Sequence, residues 1–270
     1  MIHPTAIVHS GARIGEGTRL GPYCVIDGDV IIGEQCEVGP HVYITGHTRI
    51  GANNRIHAGC VIGDLPQDVR FTGGPTGVTI GDDNVIREHV TIHRSNKVEE
   101  PTRIGSHNLF MAHCHVGHNT VVGNNVIIAN GALLAGHVIV EDRVFISGNC
   151  LVHQFVRVGT MALMQGGSAV SKDLPPFTIA RGDNGIAGLN TVGLRRAGVT
   201  GPERLELRRA YHLLFRSGLK LSEGLARARK ELKSERAKAL LEFVASGRRG
   251  FCADRGRDSG TEENGEETND

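Results

Sequence analysis

No tryptophan occurs in this 270-residue chain, and aromatic residues make up only 4% of it. A core that relies on aromatic volume is therefore excluded. No run of about 18 apolar residues exists, which excludes a membrane-spanning helix. Neither sign of charge is in excess, since 30 Lys and Arg face 29 Asp and Glu. That balance argues against a polycation coating nucleic acid or a membrane surface. The six cysteines contain no Cys-x-x-Cys pair, so the usual zinc-thiolate spacing is missing. No basic-then-apolar leader precedes the patterned sequence that starts at Ile2, and a cytoplasmic location is expected.

What is plentiful is glycine, with 37 residues, and an aliphatic side chain at every sixth position. The series runs Ile2, Val8, Ile14, Leu20 and on to Ile62. It returns in phase at Ile80, Ile86 and Ile92, and again from Ile104 to Val170. Gly often follows, as at Gly15, Gly33, Gly51, Gly117 and Gly123. A period of six matches neither an α-helix nor an alternating strand. It matches a parallel β-helix in which each hexad supplies a short strand and a corner, and three hexads close one coil of about 18 residues. The phased aliphatics point inward, and Gly relieves corners where a Cβ would clash.

The residue two before each aliphatic is small in many hexads, and five of the six cysteines stand there. They are expected to be inward fillers rather than disulfides or metal ligands. The expected fold class is therefore an all-β solenoid over residues 1–174 plus a small all-α domain. Two polar stretches, about 64–78 and 95–102, keep the phase while breaking the pattern, and are read as ejected loops. A connector at 175–198 should lead to helices over 199–250. The first has Pro202 at its start, Gly218 past its end, and an apolar face of Leu205, Leu207, Ala210, Leu213 and Leu214. Ser222 is a candidate cap for the second, which carries Leu225 and Leu232. A third spans about Ser234 to Ala245. Residues 251–270 read as a disordered acidic tail. Arg195 to Arg249 holds 15 Lys and Arg against 6 Asp and Glu, a surface suited to an acidic partner.

Eight of the 14 histidines lie between His89 and His153. With an 18-residue coil, His118, Gly136 and Gln154 stack, with Gly117, Ala135 and His153 beside them and His137 one place on. The cluster suits two chemistries. One is general-base activation of a hydroxyl, with the Gly136 N–H receiving an oxyanion. The other is a metal held through the His-x4-His spacing of His113 and His118. Spacing alone favours neither strongly.

The motifs GDLPQDVRFTG, REHVTIHR, NLFMAHCHVGHNTVVGN, LAGHV, VHQF, DLPPF and GLRRAG occur in that order. In that order the chain closely resembles the hexapeptide-repeat UDP-N-acetylglucosamine O-acyltransferases of lipid A biosynthesis, over about residues 1 to 250. The resemblance implies a left-handed parallel β-helix, against the usual crossover hand, and a homotrimer with sites between subunits. It implies transfer of an (R)-3-hydroxyacyl chain from acyl carrier protein to the glucosamine 3-hydroxyl, with no metal and no cofactor. By the same resemblance His118 is the general base and Gly136 the oxyanion donor. His115, His137, His153 and Gln154 take substrate contacts, Asp68 and Arg70 stand at the sugar, and Asn190 and Arg196 at the nucleotide. Gly166 lies at the floor of the acyl chain. Three departures stand out: Asn119, the orienting residue, replaces the family's Asp, Arg70 replaces Lys, and Val192 stands where Glu is frequent.

The resemblance weighs against three other readings. They are a zinc lyase of the γ-carbonic-anhydrase type, an N-acyltransferase acting on UDP-glucosamine, and a non-catalytic scaffold.

Overall fold

The computed structural model describes residues 1–255. From Ile7–Val8 to Ala169–Val170 the chain forms short strands, most of two residues, separated by corners. They stack into three sheets that run the length of the solenoid. Pairing is parallel, and the partner of a residue lies 18 further on: Ile7 with Val25, His115 with Leu133, Leu133 with Leu151. The register lengthens in two places. Arg55 pairs with Val85, and Thr91 with His115. Insertions of 12 and 6 residues leave the phase intact there. The ejected segments are 65–76, between Val61–Asp64 and Gly77–Ile80, and 94–101, between Thr91–His93 and Thr102–Ile104.

The phased aliphatics from Leu20 onward fill the interior, and Ile26, Ile62, Ile92, Phe110 and Leu134 are fully buried. The column two residues earlier is also interior. Cys24, Cys36, Cys60, Cys114 and Cys150 are buried free thiols, and burial pushes the Cys114 thiol up to about 12. This column is less uniformly small than expected, because Val30, Val90 and Val126 occupy it too. So do three buried asparagines that form a ladder. Asn54 Oδ1 accepts from Asn84 N, Asn84 Oδ1 from Asn108 N, and Asn108 Oδ1 from Val126 N, at 3.0, 3.0 and 2.7 Å. Each amide thus satisfies a buried backbone donor of the next coil.

Glycine serves two separate positions. Those that follow the aliphatic sit under the neighbouring coil. A Cβ on Gly33 would stand 2.6 Å from the Gly51 carbonyl carbon and oxygen. The left-handed backbone position is another column, three residues past the aliphatic, and is filled mostly by other residues. His41, His89, His113, Asn119, Asn125 and His137 all have φ near +60°. Asn tolerates that region better than most side chains. Several histidines of the rich stretch are therefore corner residues.

The 175–198 segment carries regular structure. Thr178–Ala180 extends the third sheet in parallel on Leu163–Met164, and Gly185–Leu189 returns antiparallel to it. Helix α1 (Thr191–Arg196) follows, then α2 (Gly201–Phe215), α3 (Leu221–Glu231) and α4 (Glu235–Ala245). Thr200 and Glu203 form a capping box on α2. Leu205 is exposed, and Tyr211 takes a buried place beside Leu207, Ala210, Leu213 and Leu214. Ser222 does not cap α3. Lys220 occupies that position without a side-chain bond, and Ser222 lies inside the first turn. Ser234, read only as the start of the last helix, is the N-cap of α4.

Five residues of the stretch read as a tail, 251–255, are among those described. Cys252 is buried, and Ala253–Asp254 pairs with Gly185–Ile186. The remainder of the acidic tail lies outside the described residues. The helices are tied to the solenoid by Arg157, which binds Asp173 at 2.8 Å through Nε and the Phe243 carbonyl at 2.9 Å.

A glycine pair tests the stacking argument. Gly33→Ala forces a Cβ into backbone and should destabilise by about 1–3 kcal/mol, as overpacking does. Gly148→Ala, whose Cβ meets only Asn130 O at 3.4 Å, should cost under about 1 kcal/mol by the same reasoning. Denaturant unfolding of both variants reads the difference.

Candidate functional site

His118 lies on the corner between the strands His115–Val116 and Val121–Val122. The coil register sets Gly136 above it, and His137 N donates to His118 O at 2.8 Å. A Cβ on Gly136 would be 2.6 Å from His118 Nε2. Only glycine leaves the ring its place. The His118 ring meets His137 edge-on at 5.1 Å, and His137 stacks on Phe155 at 4.7 Å. Cavities open on both flanks of the corner. One of about 690 Å³ is lined by His115, His118, Gly136, His153, Gln154 and others. One of about 540 Å³ includes Asn119, His137, Phe155 and Arg249.

The other nitrogen of His118 is held from behind. Nδ1 is 2.8 Å from Asn119 Oδ1. That oxygen also accepts from Asn96 N at 3.1 Å, while Asn119 Nδ2 donates to Ser95 Oγ at 2.6 Å. A backbone N–H can only donate, so the atom facing Asn96 N must be the amide oxygen. The neutral ring of His118 therefore carries its proton on Nδ1, and its lone pair is on Nε2, beside Gly136. Asn119 N bonds Thr102 Oγ1 at 2.8 Å. The second ejected loop is thereby closed around the residue that orients His118.

The neighbouring imidazoles are pushed toward the uncharged form. Burial, with His93 and His118 nearby, pulls His115 down to about 4. Its Nδ1 is 2.7 Å from Thr91 Oγ1. His93 is lowered chiefly by burial, and so is His137. Asp68 is the opposite kind of group. Its side chain is 9% exposed. Hydrogen bonds from Arg70 and Asn96 hold its carboxyl well below the usual carboxylate range.

One chain does not bring all the expected residues together. His115, His153, Gln154, Gly136 and His118 converge. Asp68 is near enough to act on His137 electrostatically, and Arg70 is paired with it at 3.2 Å. Gly166, Asn190 and Arg196 are elsewhere. Gly166 is on the turn after Leu163–Met164. Asn190 is nearly buried, capping α1 through Gly193 N and bonding Met161 O, each at 3.0 Å. Both ends of its amide are thus engaged. Arg196 is exposed in the last turn of α1.

His113 stands on a different corner from His118, stacked on His89 at 5.1 Å. Among the described residues no group of three His, Cys, Asp or Glu is disposed to hold a metal ion. Within one chain, His113 and His118 therefore do not share a metal site.

Sequence reasoning left out His93, Ser95, Asn96 and Thr102. His93 sits within REHVTIHR, a motif quoted for its order alone. The other three are polar residues at the edges of an insertion, where hexad phase carries no information.

Stacked hexapeptide coils with a histidine corner define a hexapeptide-repeat transferase. Residues 29–64 and 101–136 match the family model described as bacterial transferase hexapeptide (six repeats). Residues 173–252 match UDP N-acetylglucosamine O-acyltransferase, domain 2. A curated acyl-[acyl-carrier-protein]–UDP-N-acetylglucosamine O-acyltransferase of Myxococcus xanthus is 47% identical over 93% of this chain and 98% of its own. The Francisella novicida UDP-N-acetylglucosamine acyltransferase structure superposes with a TM-score of 0.90 at 37% identity, covering 94% of this chain and 95% of that one. The Bacteroides fragilis enzyme gives 0.88 at 37% identity, covering 93% and 99%. The chain belongs to the acyl-[acyl-carrier-protein]–UDP-N-acetylglucosamine O-acyltransferase family. Its solenoid is accordingly the left-handed parallel β-helix.

Two measurements follow from the geometry. Gly136→Ala should displace the imidazole and cut kcat by about a hundredfold, the effect of a misplacement near 1 Å, with a nearly native melting temperature. Because His115 titrates lower when folded than when unfolded, the unfolded chain binds the extra proton between about 6.5 and about 4. Stability should fall as pH drops through that window. A His115→Gln variant should lose that part of the acid sensitivity, as read by melting temperature against pH.

Proposed function

We propose that this enzyme transfers an (R)-3-hydroxyacyl chain from acyl carrier protein to the 3-hydroxyl of UDP-N-acetylglucosamine, the first step of lipid A biosynthesis. His118 is the general base. The observation that carries this reading is the assigned tautomer: Nδ1–H is donated to Asn119, and the Nε2 lone pair faces the cavity side at Gly136.

The chemistry balances without a metal or cofactor. The sugar hydroxyl oxygen attacks the thioester carbonyl carbon as Nε2 takes its proton. The oxyanion of the tetrahedral intermediate is met by the Gly136 N–H, a fixed backbone dipole. Collapse breaks the carbon–sulfur bond, and His118 returns the proton to the leaving thiolate. The thioester supplies the driving force. The downward shifts of His115, His93 and His137 favour this cycle, because each reduces the positive charge standing beside the imidazolium that forms. His115, His137, His153 and Gln154 contact substrate, and Asp68 with Arg70 holds the sugar.

Arg196 handles the nucleotide phosphates from α1, and Asn190 fixes the start of that short helix. These two stand apart from His118 within one chain, which supports an active form with sites between subunits, the homotrimer that the family resemblance implies. Gly166 leaves room for a long acyl chain. The basic helical surface steers the acidic carrier protein.

Assay of acyl transfer to UDP-N-acetylglucosamine tests the base. His118→Ala should lower kcat by about 10²–10⁴-fold, the usual worth of general-base catalysis. An unchanged kcat would refute the assignment. Chelator-treated enzyme should keep its turnover. Gly166→Leu should move the preferred acyl chain to a shorter length. Asn119→Asp places a carboxylate against the ring and favours imidazolium. The acid limb of its kcat/KM profile should move up by about one pH unit, and an unmoved limb would remove the charge argument.

A further inference from the structure

Asn96 lies in the ejected segment 94–101 and makes two contacts that pull in different directions. Its backbone N–H donates to Asn119 Oδ1 at 3.1 Å. Its side-chain Nδ2 donates to Asp68 Oδ2 at 2.8 Å, 28 residues away in the other ejected loop. The second Asp68 oxygen is already held by Arg70, through N at 3.0 Å and Nε at 3.2 Å. The links therefore run from His118 through Asn119 and Asn96 to Asp68.

The side chain of Asn96 is oriented by that carboxylate alone. Its Oδ1 is buried and has no hydrogen-bond partner among the described residues. An amide buried at that cost is explained if its NH₂ is needed where it points. The Arg70 side chain is 80% exposed, so its guanidinium is a mobile and solvent-screened tether. The Arg70 backbone N–H fixes one Asp68 oxygen and the Asn96 amide fixes the other.

We propose that Asn96 is a positioning residue for acyl transfer, holding the Asp68 carboxylate in the geometry that receives the sugar. This rests on the reading of Asp68 as a sugar contact and His118 as the base. The two contacts of Asn96 are separable by mutation. Replacing the side chain releases Asp68 and leaves the N–H that orients Asn119. Loss of a hydrogen bond to a charged group then appears in sugar binding rather than in proton transfer.

The test is a double-mutant cycle. Asn96→Ala should raise KM for UDP-N-acetylglucosamine about tenfold, with kcat within about twofold of wild type. Asn96→Asp keeps the volume and sets a second carboxylate against Asp68, so its KM should rise further. If Asn96 acts through Asp68, the Asn96→Ala/Asp68→Ala pair should be no worse than Asp68→Ala alone.

An unchanged KM in both Asn96 variants, or strictly additive effects with Asp68→Ala, would overturn the role. Failure of the underlying reading looks different. His118→Ala with normal kcat removes the base, and Asp68→Ala with normal KM removes the sugar contact and this role with it. Melting temperatures of each variant separate misfolding from lost positioning.

Discussion

The hydrogen bonds that join each coil to the one 18 residues further on carry the rest of the structure. They turn a linear period into a vertical alignment. Because His137 N bonds His118 O and Ala135 N bonds Val152 O, the corner of one coil is built directly on the next. Side chains distant in sequence thereby share one edge. The same ladder sets the costs. Coils at strand spacing leave no room for a Cβ under the corner, so glycine recurs there. Most corners also carry a left-handed residue, a place that His and Asn fill repeatedly. The histidine richness of this chain has two origins, corner geometry and chemistry, and only the stacking separates them.

Polar groups inside this scaffold are held by paired roles rather than by charge. The buried asparagine ladder gives each carbonyl oxygen a backbone donor from the coil above. At the site, Asn119 repeats the device with a different result. Its oxygen satisfies Asn96 N and, in doing so, faces the imidazole with an acceptor. A neutral amide can fix a tautomer as firmly as a carboxylate can. It adds no charge to stabilise imidazolium, which fits a cluster whose other histidines are pushed toward the neutral form. The ejected loops act as braces here. The second encloses Asn119, and Asn96 reaches from it to the first.

Much of this was legible beforehand. The six-residue aliphatic period, its interruption in phase, and the 18-residue coil placed His118, Gly136, His153 and Gln154 together. Motif order placed Asp68 near them. Less legible were features that depend on contacts rather than on period. The asparagine ladder sits in a column otherwise filled by Cys, Val, Ala, Thr and Ser. The hairpin within 175–198 and helix α1 lie where hexad phase has ended and the residues are mostly small. Leu205 looked like core, yet Tyr211 takes the buried place, because which helix face is covered depends on how α2 meets α3 and α4.

By itself, then, the sequence determined the solenoid, its core and the vertical neighbours of His118, since a strict period is enough to predict what stacks on what. Only the tertiary structure decided the tautomer of that histidine, the separation of His113 from it, and the remoteness of Asn190 and Arg196. Those depend on lateral contacts between corners, loops and helices. Such contacts join residues with no fixed spacing along the chain, and their hydrogen-bond partners are known only once the coils are closed.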